Sequence, residues 1–113
     1  MKIYHNPRCS KSRQTLAILN EKNIKFEIVE YLKDNLSKSE LKEIIEKLEI
    51  NTIELVRKNE SVWKEKFKGR KLNDKEIIQA MIENPKIIER PIVTNGDKAI
   101  LGRPPENVLK IID

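Results

Sequence analysis

The sequence contains one cysteine, Cys9, and it lies between basic residues. Arg8 precedes it, and Lys11 and Arg13 follow it closely. The thiolate is the reactive form of cysteine, and cations or a helix N-terminus beside the sulfur favour it. A helix terminus contributes only about 0.3–1 kcal/mol, whereas lowering a thiol pKa by two units requires roughly 2.7 kcal/mol. One or two charged hydrogen-bond donors must supply the rest. We predict a reactive thiolate at Cys9 rather than an inert core cysteine.

Two polar residues near Cys9 are further candidates for the chemistry of the thiol. His5 ends a short apolar run, where it can accept a proton or be structural. Ser12 can donate its hydroxyl to the sulfur or cap a helix, and both roles remain open. Because Ser12 stands where a C-x-x-C motif has its second cysteine, any disulfide formed by Cys9 must be to another molecule. A phosphatase-type loop would need arginine at position 15, where this sequence has Thr15. The sequence therefore disfavours the phosphatase class.

Arginines at the boundaries of predicted elements are candidates for binding an oxyanion. Arg57 lies at a predicted helix end, Arg90 before a strand and Arg103 at a strand-to-helix junction. Side chains at such boundaries can converge on one loop, and the guanidinium fork matches a tetrahedral oxyanion. Arg13 fits a solvated helix position, although an anion in the Cys9 loop would lie near it.

The elements that must position these residues follow from hydrophobic periodicity and capping patterns. Strands are predicted at residues 2–5, 24–29, 91–94 and 98–101, with a hairpin turn at Asn95-Gly96. Helices are predicted at residues 10–21, 37–48, 52–56, 62–67, 74–84 and from 104 onward. Apolar positions on the predicted inner faces include Ala17, Ile28 and Leu109. The order is β-α-β, a helical block, then β-β-α, and the opening unit should be parallel.

Length favours one small domain covering residues 1–113. The order of its elements predicts an α/β fold with a mixed sheet flanked by helices and a helical insertion between its halves. The net charge of +5 weakly favours an anionic partner. No cysteine pair is present to hold zinc, and we expect no metal. The absence of a signal peptide or a long apolar run predicts a cytoplasmic protein with a reduced thiol. We take a monomer as the default.

Four motifs, in order and spacing, resemble the glutaredoxin-coupled arsenate reductase (ArsC) family, which is related to Spx and YffB-type proteins. They are YHNPRCSKSR, LVRKN, RPIV and GRPPE, and the resemblance spans Ile3 to about Ile112. It implies a thioredoxin-like fold and a cis peptide before Pro91. Cys9 matches the nucleophile of the family, and His5 matches a histidine suspected of tuning the thiolate. The anion-binding arginines of the family match Arg57, Arg90 and Arg103. Ser12 and Arg13 match the Ser-Arg pair that follows the cysteine.

The reaction that this resemblance implies is reduction of arsenate. Cys9 would attack arsenate held by the arginines, glutathione or another small thiol would act as co-substrate, and a glutaredoxin-like protein would complete the cycle. No bound cofactor, membrane or direct nucleic-acid contact is implied. The alternatives are a transcriptional regulator of the Spx type that binds RNA polymerase, and a thiol-redox protein that does not act on arsenate. The arginine in GRP and the Cys-x-x-Ser spacing favour the reductase over Spx.

Overall fold

The structure, a computed structural model, describes residues 1–112. Within that range the chain forms two compact units, residues 1–34 with 90–112 and residues 35–89. The first unit carries Cys9 and the second is the helical insertion that the sequence predicts. The expectation of a single domain stays a prediction.

The first unit is built on a four-stranded mixed sheet. Its strands are β1 (Lys2–Tyr4), β2 (Glu27–Val29), β3 (Ile92–Asn95) and β4 (Lys98–Leu101). Their order is β2-β1-β3-β4, with β1 parallel to β2 and β3 antiparallel to both β1 and β4. Helix α1 (Ser10–Glu21) connects the parallel pair, and a 3-10 helix (Pro105–Ile111) follows β4. The mixed α/β class and the parallel opening unit are confirmed.

The β3–β4 hairpin differs from the prediction by one residue. Asn95 pairs with Lys98, so the two-residue turn is Gly96-Asp97 rather than Asn95-Gly96. Gly96 has φ of +62°, a left-handed conformation that glycine adopts without the steric penalty of a side chain. The Asn-Gly pattern therefore located the hairpin correctly but not its central residues.

The core of the first unit lies between the sheet, α1 and the C-terminal 3-10 helix. Its buried apolar residues are Ile3, Leu19, Val93, Val108 and Ile111. Burial of this apolar surface supplies the main driving force that holds α1 against the sheet.

Three positions predicted to face inward are exposed instead. The buried stripe of α1 consists of Ser12, Thr15 and Leu19, which rotates Ala17 to the surface. Ile28 is 48% exposed because β2 pairs on one side only and lies at the edge of the sheet. Leu109 is 45% exposed because a 3-10 helix has three residues per turn, which aligns Val108 with Ile111 and turns Leu109 outward.

The second unit contains three α-helices and two short 3-10 helices. They are α2 (Lys38–Leu48), a 3-10 helix (Thr52–Leu55), α3 (Ser61–Lys66), α4 (Asp74–Glu83) and a 3-10 helix (Pro85–Ile87). The predicted caps are confirmed: Ser37 Oγ accepts from the Glu40 N–H at 3.0 Å, and Asn73 forms a capping box. Helix α2 contacts α4. The buried apolar residues of this unit include Leu41, Ile44, Leu55, Trp63, Ile77 and Met81.

Candidate active site

The loop from β1 to α1 is held in one conformation by its own backbone. The His5 N–H donates to Val29 O at 2.9 Å, and the Cys9 N–H donates to Asn6 O at 3.0 Å. Asn6 Oδ1 accepts from the Arg8 N–H at 3.0 Å, the Asx turn that asparagine favours. Cys9 is the N-cap residue of α1, with φ −93° and ψ 122°, and its side chain is half-buried.

Several donors surround the Cys9 sulfur. Burial raises the pKa of the Cys9 thiol, but the Ser12 backbone N–H, the Arg90 guanidinium and the Lys11 backbone N–H outweigh burial, and the pKa is lowered. The two N–H groups belong to the first turn of α1, where backbone donors have no intrahelical acceptor. The loop therefore favours the thiolate through a helix terminus and a charged side chain together.

Arg103 approaches the same sulfur from the strand-to-helix junction. Its Nη1 lies 3.9 Å from Cys9 Sγ and donates to Arg90 O at 3.0 Å. Arg90 and Arg103 thus both lie beside Cys9. Each precedes a cis proline, Pro91 and Pro104. The cis peptide before Pro91 is the one that the sequence resemblance implies.

The Ser12 hydroxyl lies next to His5 rather than capping α1. Ser12 is fully buried, and its Oγ lies 2.5 Å from His5 Nδ1 and accepts from the Asn6 N–H at 3.1 Å. Burial lowers the pKa of His5, Glu30 raises it and Arg13 lowers it further, with a net lowering. A neutral His5 imidazole can accept a hydrogen bond from the Ser12 hydroxyl. Ser12 therefore connects His5 to the loop and gives its backbone N–H to the sulfur.

The other two arginine candidates have different surroundings. Arg13 is exposed, and its Nη1 donates to Pro7 O at 2.9 Å, which ties α1 to the loop. Arg57 belongs to the second unit, where its guanidinium pairs with Glu89 at 3.3 Å and Glu60 at 3.6 Å. The convergence of Arg57 on the other two arginines stays a prediction.

Sequence reasoning missed Asn6 and the two carboxylates beside Arg57. Asn6 shapes the loop through its side chain and its carbonyl. The Asn-Pro dipeptide carried that signal. Glu60 follows Arg57 by three residues, a spacing at which charged side chains can pair in a turn, but Glu89 is distant in sequence and left no local signal.

Neither a metal cluster nor a membrane-crossing helix occurs among the residues that the structure describes. Residues 1–112 contain no group of three or more His, Cys, Asp or Glu side chains placed to hold a metal ion. Over the same range, no helix combines the length and the apolar character needed to cross a membrane.

Comparison with known proteins gives matches over nearly the full length of the chain. A family model described as "ArsC family" matches residues 4–111. The chain is 46% identical to a protein named arsenate reductase from Haemophilus influenzae, covering 97% of each chain. It is also 46% identical to the uncharacterized protein YfgD of Escherichia coli, covering 99% of this chain and 96% of that one. A solved structure described as arsenate reductase from Vibrio cholerae is 44% identical, covers 99% of this chain and 98% of that one, and superposes with a TM-score of 0.94.

Proposed function

Because this chain belongs to the ArsC family, we propose that it is an arsenate reductase in which the Cys9 thiolate attacks arsenate. One observation carries the proposal. A half-buried thiol of lowered pKa stands at the N-terminus of α1 with the guanidinium groups of Arg90 and Arg103 beside it. Arsenate reductase is also the name of relatives at 46% and 39% identity.

Each residue near the sulfur has a role in this proposal. Cys9 is the nucleophile. Arg90 and Arg103 bind the oxyanion and stabilise the negative charge that develops on it. Arg57 is the third oxyanion ligand, and Arg13 contributes positive charge near the loop. His5 and Ser12 hold the loop through their hydrogen bonds, and His5 can accept a proton near the thiolate.

The proposed reaction begins with formation of a bond between the Cys9 sulfur and arsenic. One As–O bond breaks, and its oxygen takes on two protons in total and leaves as a water molecule. A small thiol then bonds to the Cys9 sulfur, the S–As bond breaks, and its electron pair remains on arsenic, which leaves as arsenite. A second thiol attacks the resulting mixed disulfide and regenerates the Cys9 thiolate. The net change is arsenate and two thiols to arsenite, a disulfide and water.

The remaining parts of the proposal concern where the electrons come from. Since the sequence has one cysteine, the reducing thiols must belong to other molecules. Glutathione, or another small thiol, is the proposed co-substrate and a glutaredoxin-like protein the proposed partner. No bound cofactor is needed for this chemistry. We propose that the protein acts in the cytoplasm, as a monomer.

The test is arsenate-dependent oxidation of NADPH, coupled through glutathione, glutaredoxin and glutathione reductase. We expect turnover with wild-type protein and none with Cys9→Ser. Sulfate should slow alkylation of Cys9 because it is a tetrahedral oxyanion that competes for the arginines. Absence of turnover with several thiol donors would contradict the proposal. Turnover on glutathionylated substrate without any effect of arsenate would instead indicate a thiol-redox protein.

A further inference from the structure

The backbone at Gly102 is packed more closely than a side chain would permit. A Cβ added at Gly102 would lie 2.6 Å from Thr15 Oγ1 and 2.8 Å from Pro91 Cγ. Both distances are shorter than real Cβ atoms show. Gly102 is also buried. The other two glycines of the chain, Gly69 and Gly96, have nothing within 4 Å of the same position.

Hydrogen bonds join the same three segments. The Gly102 N–H donates to Pro91 O at 2.9 Å. Thr15 Oγ1 donates to Lys11 O at 2.9 Å and lies 3.5 Å from Gly102 O. The Gly102 backbone is therefore in contact with the Thr15 side chain of α1 and with Pro91, the residue that precedes β3.

Each of these segments carries one residue of the candidate active site. Thr15 lies on α1, the helix that Cys9 caps. Pro91 follows Arg90 directly, and Arg103 follows Gly102 directly. The distance between the sulfur and the two guanidinium groups thus depends on how closely the Gly102 backbone packs against the Thr15 side chain and against Pro91.

We propose that Gly102, packed against Thr15 and Pro91, is the positioning residue that holds Arg90 and Arg103 against Cys9. The inference rests on the proposed function for its biological meaning, but the geometry that it concerns is independent of arsenate. A side chain at position 102 must push α1, the Pro91 turn or the 102–103 backbone outward. Contacts as long as 3.9 Å, such as Arg103 to the Cys9 sulfur, are then lost with a small displacement.

The experiment uses Gly102→Ala and measures the pH dependence of Cys9 alkylation by iodoacetamide, with thermal unfolding as the check on folding. We expect the pKa of Cys9 to rise by about one unit, which is about a tenfold loss of thiolate at a pH below both pKa values. Protection of the thiol by sulfate should fall in parallel. Gly69→Ala is the matched control: at φ +82° it strains the backbone but should leave the pKa of Cys9 unchanged.

A second pair of variants keeps the proposal testable if Gly102→Ala does not fold. Thr15→Val removes the hydroxyl with little change in shape and should raise the pKa of Cys9 by less than Gly102→Ala does. Thr15→Ser keeps the hydroxyl and should restore the wild-type value. A folded Gly102→Ala with the wild-type pKa and sulfate protection would overturn the proposal. So would an unfolded Gly102→Ala together with a Thr15→Val variant of unchanged pKa. If the wild type does not reduce arsenate but these shifts appear, the proposed function fails and the positioning role stands.

Discussion

Replacement of Arg90 by glutamine tests whether a guanidinium holds Cys9 as a thiolate. Arg90 lowers the pKa of Cys9 through a hydrogen bond and through its charge, against the opposing effect of burial. A hydrogen bond to a charged group contributes about 1.5–3 kcal/mol, and 1.36 kcal/mol corresponds to one pKa unit. The full loss would raise the pKa by about one to two units. Because Cys9 is only half-buried, solvent screens part of the interaction, and we expect about one unit.

The assay is the rate of Cys9 alkylation as a function of pH, followed by mass spectrometry. At a pH below both pKa values the rate for Arg90→Gln should fall about tenfold, since only the thiolate reacts. Well above both pKa values the two proteins should react at similar rates, because both thiols are then ionised. This convergence separates a change in pKa from a change in access to the sulfur.

The control for Arg90→Gln is Arg8→Gln, which removes the same charge from the residue next to Cys9. Arg8 is exposed, and it is not among the groups that lower the pKa of Cys9. Because water and salt screen the Arg8 charge, Arg8→Gln should change the pKa of Cys9 by at most about a few tenths of a pKa unit. The reasoning is refuted if folded Arg90→Gln keeps the wild-type pKa. It is also refuted if Arg8→Gln raises the pKa equally, because general positive charge would then be the cause.

Three further predictions concern stability and the second unit. Folding lowers the pKa of His5 from 6.5. The resulting contribution to stability is fully present above pH 6.5 and is lost as the pH falls through the folded pKa. In urea titrations, His5→Gln should flatten this part of the pH dependence of the free energy of unfolding. Cys9→Ser should keep the wild-type melting temperature, because a loop thiol contributes little packing, and a large decrease would indicate a structural cysteine. Glu89→Gln removes one carboxylate from Arg57 and should strengthen sulfate protection of Cys9 if Arg57 is an oxyanion ligand, whereas unchanged or weaker protection would contradict that role.

Local patterns predicted most of the elements because their signals lie within a few residues. Ser37 and Asn73 cap their helices as the capping patterns indicate. The hydrophobic pattern places Ala17 on the wrong face because α1 buries Ser12 and Thr15, two polar residues that such a pattern does not count. Thr15 is buried against the Gly102 backbone, which lies 87 residues away along the chain. Contacts at that sequence separation leave no periodic signal.

The candidate site was predictable in its residue types but not in its construction. The sequence indicates Arg8, Lys11 and Arg13 as the local candidates for charged donors to the thiolate. In the structure Lys11 acts through its backbone N–H, and the Arg13 guanidinium bonds to Pro7 O. The charged groups beside the sulfur are Arg90 and Arg103, and Arg90 reaches the loop only because β3 pairs with β1. Sheet topology, rather than sequence proximity, decides which arginine meets the sulfur.

A single thiol constrains how this site can work. On the proposed reaction, Cys9 must react with arsenate and afterwards with a thiol on another molecule, so its sulfur has to remain accessible through the whole cycle. Complete burial would raise the pKa of the thiol and exclude the second thiol, whereas full exposure would weaken every donor through solvent screening. The half-buried N-cap position of α1 lies between these limits. There the sulfur keeps partial contact with solvent while the Ser12 N–H and the Arg90 guanidinium donate hydrogen bonds to it.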